Sequence, residues 1–205
     1  MRTLTALGLS ASLSVSLCSN TFGQTPPQHP ALASEVPSDA MLTPRYLLMT
    51  PSGRAVMADD FRGRFQLIAF GFISCPDVCP TTLLHMTHVL NALGERAQHV
   101  QPLFVTVDPQ RDTPEVLAAY TKAFDARILG LTGAPELIRK AADSFGVFYE
   151  KVQEPGDGPN VYTMNHTAGM FLLDPQGRLI AKLGYSLPTD TLVERIQRWL
   201  TAAGK

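Results

Sequence analysis

The sequence predicts an α/β fold, a central mixed β-sheet flanked by helices, with a β-hairpin added on its N-terminal side. Three observations carry that expectation. Apolar runs of strand length, "FQLIAFGF" (65–72) and "VQPLFVTV" (100–107), alternate with segments of helical apolar spacing. Further on the alternation stops, and "AGMFLLD" and "RLIAKLG" flank "PQG" as a hairpin before one amphipathic stretch. Near residue 50, "RYLLM" and "RAVM" flank "TPSG", a hairpin signal with Gly53 in its turn.

Three segments are expected. Residues 1–23 carry Arg2 and then an uncharged, Ser-rich apolar run, too short to span a bilayer comfortably as a helix. They read as a secretory signal, with Thr21 and Gly23 as the small residues before a cut at Gln24. An uncleaved short anchor is the alternative; lipidation at Cys18 is disfavoured by Leu17 before it. Residues 24–44 hold Pro26, Pro27, Pro30, Pro37 and Pro44 and read as an extended linker. Residues 45–205 form the expected folded domain. At 45% apolar and 17% charged residues the chain can bury a sizeable core.

Within that domain, 65–72 is continuously apolar, as a strand buried on both faces must be. "TTLLHMTHVLNALGERA" (81–97) has helical spacing through Leu83, Leu84, Met86, Val89, Leu90 and Leu93. After the strand at 100–107, Thr113 is an N-cap, Pro114 the first helical residue and Glu115 an acid in the first turn. "RILGLTG" is a short strand or loop, and "PELIRKAADSFG" (135–146) is a helix stopped by Gly146. "VFYEKV" and a Gly/Pro-rich loop, "QEPGDGPN", lead into the hairpin, and a last helix covers about 189–202. The order β-α-β-α, then β-β-α, with two cysteines ending the first inner strand, matches a thioredoxin-like arrangement.

A formal net charge of −1 argues against nucleic acid as a partner, since no basic excess exists to displace phosphate counterions. The cysteines carry the chemistry. An exported chain cut at Gln24 keeps only Cys75 and Cys79, in "GFISCPDVCPTTL", and such a pair serves as a disulfide, a redox couple or a metal site. Pro80 suits the first position of the following helix, which places both thiols at the positive end of its dipole, where thiolate is favoured. A roughly helical turn sets the two Cα atoms about 6 Å apart, still within disulfide range, so spacing alone does not separate redox from metal.

Two soft sulfurs suit Cu(I), and a selective site needs a third ligand. His85 and His88 lie along the helix after Cys79, on other faces, and read as surface or partly buried residues. His99 falls at the far end of the sheet and reads as exposed. His166, in "YTMNHTAGMFLLDPQG", directly precedes a strand that the topology sets beside the cysteine strand, which makes it the candidate third ligand.

"FGFISCPDVCPTTL", "VDPQRDTPEVLAAY", "GLTG" and "NHTAGMFLLDPQG" resemble, in order and spacing, the SCO/SenC family of copper chaperones, over about residues 46–200. The resemblance implies a thioredoxin-like domain holding one copper, as Cu(I) or Cu(II), through Cys75, Cys79 and His166. It also implies delivery for assembly of the dinuclear copper centre of cytochrome c oxidase. The partners would be that enzyme's copper-bearing subunit or another copper acceptor, together with a thiol reductant that keeps the pair open in an oxidising compartment. The expected location is the periplasm, either free or tethered to the outer face of the inner membrane. Asp77 and Asp108 fall in family motifs and are expected to support the metal ligands or shape their loops. Asn165 stands where the family usually has aspartate.

The rival reading is a thiol-disulfide oxidoreductase acting on periplasmic thiols, a role also assigned to some family members. The CxxxC spacing, in place of CxxC, weighs against it. So does Asn165-His166-Thr167 where such enzymes have a cis-proline.

Overall fold

A computed structural model describes residues 42–153, 155, 156, 158 and 161–205. The expected signal segment and nearly all of the linker lie outside the described residues. The hairpin comes first: β1 (Leu47–Met49) and β2 (Ala55–Met57) pair antiparallel. Gly53 takes φ 81° in their turn, a conformation open to glycine because it has no Cβ. A bridge between Met49 and Thr132 ties the hairpin to the larger sheet's periphery.

The strands and helices then alternate as β3 (Phe65–Gly71), α1 (Val78–Leu93), β4 (Val100–Thr106), α2 (Pro114–Phe124), β5 (Leu129–Leu131) and α3 (Pro135–Phe145). They are followed by β6 (Tyr149–Val152), β7 (Thr163–His166), β8 (Met170–Leu173), β9 (Leu179–Leu183) and α4 (Thr189–Ala202). Five strands make one sheet in the order β5-β4-β3-β8-β9. The β3–β4 and β4–β5 pairs are parallel, β3–β8 and β8–β9 antiparallel. The sheet is therefore mixed, and β3 is its middle strand, every residue of it buried.

Strand alternation assigns the two faces. Phe70 and Phe171 turn to α3, whose Phe145 meets both rings edge-on at 5.3 Å. The other face carries Phe104 and Gly130. Tyr120 of α2 packs on Phe104 at 6.0 Å, and Leu117 of α2 fills the space over Gly130. Helix α4 lies against α1. Thr113 caps α2 as expected, accepting from the Val116 amide, and Gly146 ends α3 in the left-handed conformation at φ 68°.

Two local features differ from the sequence expectation, and both concern the thiol and imidazole segments. Helix α1 starts at Val78, not after Pro80, so Cys79 lies inside its first turn and Pro80 is its third residue. The first-turn amides of a helix have no intrahelical acceptor, which is why proline is tolerated there. The second feature is β7. The sequence placed His166 just ahead of a strand; it is the last residue of one, paired with β6 in a separate two-stranded ribbon that sets Tyr149 opposite His166. "YTMNH" carries polar residues at alternate positions and no apolar run, so the ribbon left little hydrophobic signal.

Between that ribbon and β8 the chain turns at Gly169, which has φ 116°. A Cβ there would lie 2.5 Å from the Leu183 carbonyl oxygen, a backbone atom. Gly177 also has positive φ, at 81°, but a Cβ there would meet nothing. We expect Gly169→Ala to lower stability by about 2 kcal/mol or more and Gly177→Ala by about 1 kcal/mol. Urea unfolding of the two variants measures the difference; equal losses would contradict the steric account.

Candidate metal centre

The end of β3 shapes the site. Gly71 stands where a side chain would point into α1: a Cβ there would be 2.7 Å from Cys79 Sγ and 2.9 Å from the Phe104 ring. Glycine at this position lets the Cys79 sulfur rest directly on the strand. Cys79 is 2% exposed, whereas Cys75, on the loop before α1, is half-buried. The Cys79 amide, in the first turn of α1, donates to Cys75 Sγ at 3.5 Å, so the field at the helix N-terminus bears on the outer sulfur.

His166 comes to both from the other side. Its Nε2 lies 3.4 Å from Cys79 Sγ. The donor atoms of Cys75, Cys79 and His166 are all within 4.8 Å of one another. The imidazole is fixed twice. Its Nδ1 is 3.1 Å from the Thr167 carbonyl oxygen, and its ring stands edge-on to Phe72, 5.8 Å away at 89°. A carbonyl can only accept, so Nδ1 carries the hydrogen and Nε2 presents a lone pair toward the sulfurs.

The electrostatics depart from the sequence expectation at one sulfur. The helix dipole was expected to favour thiolate at both cysteines. At Cys79 burial dominates and pushes the thiol up, even with the Phe72 amide facing the sulfur. The proximity of Cys75 acts in the same direction. Burial likewise lowers His166, the Thr167 hydrogen bond opposing it only in part. The metal-free site therefore holds a neutral inner thiol beside a neutral imidazole.

Two buried carboxylates hold the walls. Asp112, 1% exposed, accepts from the Thr106 hydroxyl at 2.6 Å and from the Ile73 amide at 3.1 Å, tying the cysteine loop to the end of β4. Asp108 accepts from the Tyr162 hydroxyl at 2.9 Å and pairs with Arg111. Arg111 also donates to the Tyr162 carbonyl at 2.8 Å and stacks on the Tyr162 ring at 3.7 Å. Tyr162 immediately precedes β7, so this clamp positions the strand that carries His166.

The sequence-derived supporting residues have different placements. Asp108 shapes a loop, through Arg111 and Tyr162. Asp77 is exposed and precedes α1 without a side-chain capping bond; it lines the shallow cavity that also holds Cys75 and His166. Asn165 is exposed, borders the same cavity and donates to Glu150 at 3.3 Å. His88 is exposed and His85 half-buried, neither with the sulfurs; His99 is half-buried, not exposed as expected. It adjoins Val100, which pairs with Phe65 at the start of β3, the far end of the sheet from Gly71. Asp112, Arg111, Tyr162 and Thr167 were missed. "VDPQRDTP" held a signal for Asp112, an acid just ahead of a capped helix, but reading that stretch only as a helix start hides it.

Comparison with known proteins places the whole domain in one family. Residues 34–201 match the SCO1/SenC family. An SCO2-like protein of Rickettsia felis is 40% identical over 133 residues, 65% of this chain and 64% of that protein, so the match spans just under two-thirds of the relative. Among solved structures, the Bradyrhizobium japonicum ScoI with copper bound superposes with a TM-score of 0.69 at 36% identity, covering 77% of this chain and 99% of the other. The apo Sco1 protein from Thermus thermophilus gives 0.73 at 40% identity, covering 81% and 95%. With the match running through both cysteines and His166, the chain belongs to the SCO1/SenC family.

Proposed function

We propose that the chain is an exported copper chaperone whose domain, residues 45–205, holds one copper ion through Cys75, Cys79 and His166. It delivers the ion for assembly of the dinuclear copper centre of cytochrome c oxidase. The observation that carries this reading is the convergence of two sulfurs and one imidazole nitrogen within 4.8 Å. Thiolate and imidazole bonds to zinc are about 2.3 and 2.0 Å long, and donors at such lengths in a trigonal plane stand roughly 3.5–4 Å apart. A small adjustment of the present arrangement suffices. Two thiolates and an imidazole are a donor set for copper. The copper-bound Bradyrhizobium relative supports the same choice.

Three donors leave one side open. A sulfur or imidazole of the copper-bearing subunit can bond there while the chaperone's ligands depart singly, and the ion is never free in solvent. The cysteines enter this cycle as thiols, as they stand in the structure. With their sulfurs inside 4.8 Å the pair can also close as a disulfide, which blocks loading until a thiol reductant reopens it. Disulfide exchange is therefore the second reading. No helix among the described residues is long and apolar enough to cross a membrane. Export rests on the N-terminal sequence pattern.

X-ray absorption of the copper-loaded, reduced protein should count two sulfurs and one nitrogen. His166→Ala should weaken copper binding by about a hundredfold or more, beyond the loss usual for a group that only supports a ligand. Unchanged binding would remove His166 from the site. A coupled reductant assay with metal absent addresses the second reading, since sustained turnover independent of His166 would favour disulfide exchange.

Loading should also depend on pH. Burial keeps the Cys79 proton on through the neutral range, so copper must displace it. Burial keeps His166 unprotonated at neutral pH, so it adds no proton there. Between pH 7 and 8 the apparent affinity should rise by about tenfold per pH unit from Cys79 alone. Competition against a Cu(I) chelator of known protonation measures the slope, and a flat profile would contradict the buried thiol.

A further inference from the structure

A larger cavity, of about 570 Å³, adjoins the metal centre. Its walls are the loop after β4, the first turns of α3 and the β6–β7 ribbon. Met164 lines both this cavity and the one holding Cys75 and His166. Met164 and His166 are two apart in β7 and so lie on one face of it.

The charged groups of the cavity are unevenly engaged. Asp108 is committed to Arg111 and Tyr162. Glu136 is the other acid in the lining, against Arg139, Lys140 and Lys151. Among the described residues none of these three cations pairs with a carboxylate. Two of them rest on aromatic faces instead. The Arg139 guanidinium lies 3.5 Å from the Tyr149 ring centre, and Lys151 Nζ 3.8 Å from that of Tyr162. Stacking of this kind holds a cation in place and leaves donors for an incoming anion. In a chain of net charge −1, this is a local excess of positive charge next to the ligand atoms.

We propose that this cavity docks an acidic segment of the protein that accepts the copper. The inference rests on the copper-delivery reading above. The cations stand on two walls, α3 and β6, which suits an extended segment bearing several carboxylates. The shared Met164 wall places whatever follows that segment at the open side of the metal centre. Docking raises the local concentration of the acceptor's ligand there, as tethering does in any two-point contact. Complementary charge also speeds encounter.

The test uses the reduced, metal-free full chain and a fluorescein-labelled octaglutamate peptide, read by anisotropy at low and physiological salt. Lys140→Glu with Lys151→Glu should weaken peptide binding by about tenfold or more. Lys122→Glu with Arg198→Glu, which makes the same change in net charge on other surfaces, should change it by less than about twofold. The milder Lys140→Gln with Lys151→Gln should fall between, which guards against a folding defect in the reversal. Equal losses in both reversal pairs, no loss in the cavity pair, or no binding by the unmodified protein would overturn the proposal. Full displacement of the peptide by citrate at equal carboxylate concentration would overturn it in favour of a small-anion pocket. Because the peptide is measured without metal, and copper uptake by the same variants separately, failure of docking is distinguishable from failure of the copper site. In a second arm, copper should pass to a peptide joining six glutamates to a Cys-Gly-His tail about tenfold faster than to the tail alone, and the cavity pair should abolish that advantage.

Discussion

The contact between the Cys79 sulfur and the bare backbone of Gly71 sets the rest of the site. The middle strand of the sheet ends in the residue without a side chain, and the first turn of α1 descends into the space that leaves. One sulfur is thereby fixed to the most buried part of the fold. The cysteine loop must then bend back within a few residues, and the outer sulfur falls under the amide at the start of the helix. A single missing Cβ thus ties strand, helix and both thiols together, and close packing of the interior leaves no slack for a different arrangement.

The imidazole meets the main sheet differently, through the Phe72 ring just past the end of β3. It rides on a short ribbon outside the five-stranded sheet, packed on the core through Tyr149 and Met164 and held by polar links: Asp108 to Tyr162, Arg111 to the Tyr162 carbonyl, and Nδ1 to Thr167. Cys79 belongs to the buried core, Cys75 to the loop before α1, and the imidazole to a ribbon clamped by polar links.

Much of the architecture was legible because burial writes itself into sequence. The continuous apolar run of β3 announced a middle strand, and Thr113-Pro114 announced the start of α2 to the residue. The three donors were legible for a different reason: soft sulfurs in a pair call for a third partner, and chain order leaves His166 as the one delivered to them. What escaped was whatever depends on tertiary contact. The β6–β7 ribbon is polar at alternate positions and shows no hydrophobic period. The buried role of Asp112 looks, in sequence, like ordinary loop polarity. The thiol chemistry of Cys79 was read from the helix dipole, a local effect, while desolvation by the surrounding fold prevails.

The unequal depth of the two sulfurs has one more consequence. Cys75 faces the solvent side, and Cys79 is sealed behind it against the strand. Anything arriving from outside meets the shallow sulfur before the deep one. On the delivery route proposed above, the inner sulfur would let go last, and release would take its direction from the way the chain is packed.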